Sequence, residues 1–434
     1  MPSKILPFFL TLSGAVLLLD PTLAPARAPS EVRIVDESGF SDAIDPIQRD
    51  RIEAMLAHNR AQLRAQGALT YESAVAPSVV ANLQWPLKPT ATFSGFGYHG
   101  ISNFVDHDPR APGFVKDYMC GARTYDSADG SNHAGTDYFI TPFPWLMMDE
   151  EQVAIVAAAP GRIIGKDDGN FDRDCAIDFA KLWNAVYVQH ADGSVAWYGH
   201  MKAGTPTSKP IGAMVEAGEV LGYVGSSGAS SGPHLHFELH DSSGTIVDPR
   251  HGDCNESPDL WAVFQPYEDP KINSLSTHSQ EPEFAGCGVD ATQQTVSDVP
   301  HYADAFTPGD TVHVLASYRD QRTGESSHFQ IAAPDGSIVD SWDFDLAETG
   351  LPRPFYSGTA FTWTYTLAAG APGGTWHVRA TFQGNTYEHD FVVHTPTSTP
   401  VIDRDAAGQA RSAMSRNAGR CRPNGDPRTS PCKP

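Results

Sequence analysis

A mainly β protein, with antiparallel sheets in two domains behind one short helix, is the fold class predicted here, and three observations carry it. Gly (38) and Pro (34) are each above ordinary usage for 434 residues, which favours many turns and short strands over long helices. Two separate stretches read as short alternating apolar runs cut by Gly, Pro and Asp, the pattern of half-buried strands. A single stretch repeats at helical spacing. The length allows two or three domains and an ample core. With 40% hydrophobic and 10% aromatic residues, neither a disordered chain nor a polytopic membrane protein fits. Thirty Lys and Arg against 52 Asp and Glu give a net charge of −22, which opposes sequence-independent attraction to phosphate and excludes nucleic acid as a partner.

Residues 1–28 read as a signal peptide. Lys4 ends a short basic lead, 5–19 is an apolar run too brief to span a bilayer, and Ala24, Ala26 and Ala28 offer small-residue cleavage positions. No Cys stands directly after the run to take a lipid, and no later segment reaches the ~20 apolar residues of a spanning helix, so the expectation is a secreted chain, periplasmic or extracellular, without a stable membrane anchor. Six cysteines in an exported chain read as disulfides, and sequence alone permits 15 pairings. Proximity favours Cys120 with Cys175, Cys254 with Cys287, and Cys421 with Cys432.

Residues 29–84 form a helical, pro-segment-like region. Asp45-Pro46 supplies an N-cap and a first-turn proline, with Gln48 placed for a capping box. Ile47, Ile52, Met55, Leu56 and Leu63 then recur at helical spacing until Gly67, predicting a helix over 46–66 that docks on the next domain or covers its groove as a latency segment. Residues 85–260 hold the first β domain, with strands at 153–164, 185–190, 195–200, 220–224 and 234–239, and a hairpin at Asp192-Gly193. An irregular linker is expected over 261–286. Half a dozen short strands between 311 and 393 predict an immunoglobulin-like sandwich over 287–396. Residues 397–434 lose periodicity and read as a flexible basic tail, either a soluble terminus or a segment that clings to anionic polymer.

Chemistry concentrates in the first β domain. His133-Ala-Gly-Thr-Asp137 sets an imidazole and a carboxylate four apart where a loop enters a strand, a weak signal by itself. In His234-Leu235-His236 the two imidazoles, two apart on a strand, project to one face while Leu235 and Phe237 enter the core. Trp197-Tyr198-Gly199-His200 ends the strand leaving the hairpin. Two His and one Asp are a standard three-ligand set for catalytic zinc, with one position open for water.

These residues resemble the lysostaphin/LytM-like zinc metalloendopeptidases, a family with the duplicated hybrid motif fold that cuts peptide cross-links in bacterial peptidoglycan. The resemblance rests on His133-x-x-x-Asp137, Tyr198-x-His200 and the long block from Gly222-Tyr-Val-Gly to Pro233-His-Leu-His-Phe-Glu-Leu239, and spans roughly residues 130–250. It implies that His133, Asp137 and His236 hold Zn²⁺ while His200 and His234 line the site. No HExxH motif occurs, so histidine must carry the acid–base work. His200 is assigned as general base and His234 as the group that stabilises the tetrahedral intermediate, with the two roles exchangeable.

The loop 225–232 lacks the Lys-Ser/Thr ending of a phosphate-binding loop and reads as groove wall or as structural turns. His99 and His190 fit no ligand spacing and are expected to be structural. Insertions at 141–152 and 167–181 either shape the groove or decorate it. The function expected is a secreted, monomeric zinc endopeptidase acting on peptidoglycan stem peptides or cross-bridges, with the sandwich as a positioning module. The alternatives are a catalytically silent wall-binding or amidase-activating protein, and an endopeptidase for Gly-rich proteins.

Overall fold

The computed structural model describes residues 27–36, 44–69, 78–110, 112–127 and 130–394. The signal segment up to residue 26, the basic tail and the Cys421 with Cys432 pairing lie outside these residues. Antiparallel sheet dominates, as expected.

The first domain is built on a seven-stranded sheet in the order His99–Asn103, Thr136–Ile140, His234–His240, Val195–Gly199, Ala185–Gln189, Gly161–Asp167, Met214–Val215. Every neighbouring pair is antiparallel. Alternation sends Tyr138, Leu235, Phe237, Tyr198, Val186 and Val188 to one face, where they share a core with Leu87, Ile155 and Leu221 of a second, three-stranded sheet. The run expected as one strand over 153–164 divides into Val153–Val156 and Gly161–Asp167. Pro160 lies in the break and has no N–H for the ladder.

The opposite face carries Trp183, Tyr187 and Trp197, and onto it docks the helix Pro46–Ala65. The Asp45 side chain accepts the Gln48 backbone N–H at 2.6 Å, capping the first turn. Ile52, Leu56 and Leu63 are buried on the sheet, each contributing roughly 1.5–3 kcal/mol. Ile47 does not belong to this stripe: it is 81% exposed. Gln48, one helical turn before Ile52, is buried in its stead.

The second unit of structure is a two-sheet β-sandwich. Glu31–Asp36, Phe355–Thr366, Thr311–Arg322 and Lys271–His278 form one sheet; Ala305–Phe306, Asn385–Val393, Gly374–Phe382, Ser327–Ala332 and Ile338–Phe344 form the other. Val314 and Phe361 of the first meet Phe329, Trp342 and Phe344 of the second in one core. Two expectations are corrected. Residues 261–286 are not irregular throughout, because Lys271–His278 is a strand of the sandwich. A register shift between Ile272 and Ser274 breaks its alternation, so the buried Ile272 and Leu275 stand three apart and hide the period of two. Residues 29–84 are likewise not one helical region: Glu31–Asp36 pairs with Phe355–Thr366 at the sandwich edge, and the helix belongs to the other domain.

The disulfides also differ from expectation. Cys120 bonds Cys254 and Cys175 bonds Cys287, with Cα atoms 5.2 and 5.3 Å apart. Closure entropy rises only with the logarithm of loop length, so nearness in sequence is a weak guide, whereas Cα separation is decisive. The sheets decide which loops meet.

One buried histidine makes the sandwich acid-sensitive. His278 donates its Nδ1 proton to the Pro300 carbonyl and its Nε2 lies 2.9 Å from Ser276 Oγ. Burial, opposed by the Pro300 carbonyl and helped by His389 and His313, pushes its pKa down to about 4. The unfolded chain takes up this proton at the ordinary imidazole value, so stability is complete above that value and falls as pH drops toward 4. The loss reaches about 3 kcal/mol. Thermal unfolding of His278→Gln followed from pH 7 to 4 is expected to decline less steeply than wild type; parallel curves would refute this.

Candidate metal centre

Strand register brings the two halves of the ligand set together. His236 lies directly opposite Asp137 on one neighbouring strand and opposite Gly199 on the other. His133 sits in the loop before Thr136–Ile140 and reaches back over Asp137. His133 Nε2, Asp137 Oδ1 and His236 Nδ1 form a triangle with sides of 3.2, 3.0 and 3.3 Å. All three residues are buried.

The outward nitrogens fix what faces inward. His133 Nδ1 lies 2.7 Å from the Phe104 carbonyl, which can only accept, so the proton is on Nδ1 and Nε2 presents its lone pair. His236 Nε2 lies 3.0 Å from the Glu238 carboxylate, so by the same argument its Nδ1 lone pair points at Asp137. Three acceptors are thereby aimed at one point, an arrangement that a cation stabilises. Tetrahedral N and O ligands at about 2.0 Å from a zinc ion lie about 3.3 Å from one another, so the donor set fits Zn²⁺. Asp137 Oδ2 is held in turn by Asn103 Nδ2 at 3.2 Å and Tyr125 OH at 3.3 Å.

His200 and His234 stand beside this triangle with ring centroids 4.5 Å apart, and His200 is 6.0 Å from the His236 ring. Plain alternation would have sent His200 into the core with Tyr198. A left-handed backbone conformation, φ 59°, breaks the alternation, so His200 turns to the His234 side while Met201 returns to the core. The small-residue loop orients both rings: His200 Nδ1 donates to the Ser227 carbonyl at 2.6 Å and His234 Nδ1 to the Gly232 carbonyl at 2.8 Å. Both rings thus keep Nε2 as the basic nitrogen. The absence of a side chain is needed at Gly225, where a Cβ would lie 2.4 Å from Lys202 N, and at Gly199, where it would strike the Trp183 ring at 2.1 Å.

Several residues that matter here went unnoticed in the sequence. Glu238, fully buried, is two residues beyond His236 and follows the same period of two. That spacing was a usable signal. Burial pushes its carboxyl up, but Arg49, His236 and His240 outweigh this and hold it well below the usual carboxylate range. Asn103, Tyr125 and Trp183 come from loops and edges with no periodicity to mark them.

The insertion 141–152 folds into the helix Pro144–Asp149, with Trp145, Met147 and Met148 in the core, so it is a packing element. The turn 167–181 instead runs beside the small-residue loop, where Asp174 N donates to the Ser226 carbonyl. His190 Nδ1 donates to the Pro160 carbonyl, and burial pushes its pKa down; the half-buried His99 is pushed down as well, chiefly by desolvation. Neither joins the cluster. His133 and His236 reach the wall of a cavity of about 250 Å³ that Ile44, Arg49 and Glu238 also line.

Residues 144–249 match the family described as Peptidase family M23. His200, His234 and His236 lie inside the match, while His133 and Asp137 precede it. The DD-carboxypeptidase/endopeptidase Mpg of Neisseria meningitidis serogroup B is 46% identical over 66 residues, 15% of this chain and 14% of the relative. The cell division protein DipM of Caulobacter vibrioides is 43% identical over 56 residues, 13% of this chain and 9% of the relative. The chain therefore matches about a seventh or less of the length of these relatives. Among solved structures, the catalytic domain of the antimicrobial peptidase lysostaphin from Staphylococcus simulans is similar at 25% identity, over 29% of this chain and 83% of that one, with a TM-score of 0.22. The catalytic domain of the prophage-encoded M23 protein EnpA from Enterococcus faecalis is similar at 26% identity, over 39% and 95%, with a TM-score of 0.21.

Proposed function

We propose that this chain, which carries a peptidase family M23 domain, is a secreted zinc endopeptidase that hydrolyses peptide bonds in peptidoglycan stem peptides or cross-bridges. The observation that carries the reading is the inward convergence of His133 Nε2, Asp137 Oδ1 and His236 Nδ1, with an acceptor behind each imidazole that sets its inward lone pair. Bound to these atoms, Zn²⁺ would supply a Lewis acid for the scissile carbonyl and lower the pKa of water toward neutrality.

The chain's own groups then handle protons. His200, its Nδ1 tied to the Ser227 carbonyl, takes a proton from the attacking water at Nε2 and passes it to the departing amine. His234, when protonated at Nε2, donates to the oxygen that gains charge. Both rings donate Nδ1 to a carbonyl of the same loop, so which one holds a second proton at the start decides which is base and which is acid.

Two disulfides suit an oxidising compartment, in line with the apolar run at 5–19. Among the described residues no helix is long and apolar enough to cross a membrane.

Mass spectrometry of soluble fragments from defined muropeptides treated with the zinc-loaded chain tests the reading. New amino termini at one peptide bond, absent with His200→Ala, are expected. Fragments from elastin but not from sacculi would shift the substrate to Gly-rich protein, and binding to sacculi without any cleavage would make the chain a silent wall binder.

A further inference from the structure

The helix Pro46–Ala65 lies outside the span that carries the ligand motifs, yet one of its side chains reaches the metal centre. Arg49 Nη1 donates to Glu238 Oε2 at 2.9 Å and Nη2 to Glu238 Oε1 at 2.8 Å, a bidentate fork. The same carboxylate accepts His236 Nε2 at 3.0 Å on Oε1 and His240 Nε2 at 2.8 Å on Oε2. Each oxygen of Glu238 therefore has two donors, and the side chain is fully buried. The Arg49 guanidinium also packs over the Trp197 ring, 5.3 Å from its centre, and Trp197 stacks on His240 at 4.5 Å. The helix is anchored around this contact by Ile52, Leu56 and Leu63.

We propose that Arg49 and Glu238 are positioning residues of the metal centre: the helix clamps Glu238, and Glu238 holds the His236 ring with its Nδ1 lone pair aimed at the ligand triangle. The proposal rests on His133, Asp137 and His236 being the metal ligands. An imidazole whose outer nitrogen lacks a fixed acceptor can carry its proton on either nitrogen or turn about its bond to Cβ. In either case the inner position presents something other than a lone pair. Glu238 prevents both by supplying the acceptor at Nε2. Arg49 prevents Glu238 from swinging away, because a fork of two parallel N–H bonds fixes the plane of the carboxylate as a point charge does not. On this view the N-terminal helix is a working part of the metal centre, although it is remote from the ligands in sequence.

The test uses the full chain, loaded and stripped of zinc, with affinity measured by competition against a chromogenic chelator at fixed pH. Arg49→Met keeps the length of the side chain and removes the fork; zinc is expected to bind about 10- to 100-fold more weakly. Arg49→Lys, which keeps the charge alone, is expected to fall between Arg49→Met and wild type. Glu238→Gln retains an oxygen to accept from His236 and is expected to lose less affinity than Glu238→Ala. Thermal unfolding of the zinc-free variants reports on folding, so a loss of affinity is read only from chains that melt cooperatively. Arg49→Met binding zinc as tightly as wild type overturns the proposal. Faster turnover by Arg49→Met at unchanged affinity overturns it as well, and makes the helix a cover over the groove. A wild-type chain that binds no zinc overturns this proposal together with the metal site. A chain that binds zinc but cleaves no peptidoglycan refutes the proposed activity, and the affinity comparison still decides the role of Arg49.

Discussion

Asp137→Ala is expected to lower kcat for peptide hydrolysis by about 10³- to 10⁴-fold, with zinc content falling well below one equivalent. Asp137 is the anionic member of the triangle, 3.2 Å from His133 Nε2 and 3.0 Å from His236 Nδ1. Its loss leaves two neutral imidazoles, and a tetrahedral site cannot be completed by them with one water. The several kcal/mol that a Lewis acid contributes to the transition state disappear with the metal, which sets the size of the effect. The stability of the zinc-free protein should move the other way. In the stripped chain three acceptor atoms converge without a cation between them, so the stripped Asp137→Ala chain is expected to melt no lower than stripped wild type. Metal analysis, steady-state kinetics and thermal unfolding with and without a chelator measure all three quantities. Undiminished turnover in a metal-free preparation would refute the assignment.

His200→Ala is expected to reduce kcat by roughly 10²- to 10⁴-fold while zinc content stays at the wild-type level. The distinction follows from geometry, because His200 is outside the ligand triangle and is held by the Ser227 carbonyl. Its removal takes away a proton acceptor and leaves every ligand and its support in place. Added imidazole is expected to restore part of the rate to His200→Ala, as a small base can enter the space the ring leaves. The same substitution at His234 should reduce kcat too, and comparing the two rescues assigns the base. A His200→Ala chain that loses zinc, or one that keeps full activity, would contradict this division of labour.

Much of the site was legible in the sequence because it is written in short spacings. His234 and His236 share a face since a strand repeats every two residues, and Asp45-Pro46 starts a helix because a cap and a proline act locally. The helix, the hairpin at Asp192-Gly193, where Gly193 has φ 92°, and the sandwich strands were readable for the same reason. Where a bulge interrupts the period, as in Lys271–His278, the strand escaped notice. Where a side chain turns by a backbone exception, as at His200, its presence was visible and its direction was not.

Local sequence thus determined most of the strands, the helix Pro46–Ala65 and the residue types able to hold a cation. The tertiary structure decided which of them meet: His236 faces Asp137, 99 positions away, Cys120 joins Cys254, and Arg49 reaches Glu238 across 189 positions. Periodicity is a property of neighbours along the chain and can be read one segment at a time. Register, disulfide partners and a buried ion pair depend on the packing of all segments together, where the cost of bringing distant residues into contact is met by the sheets and their shared cores.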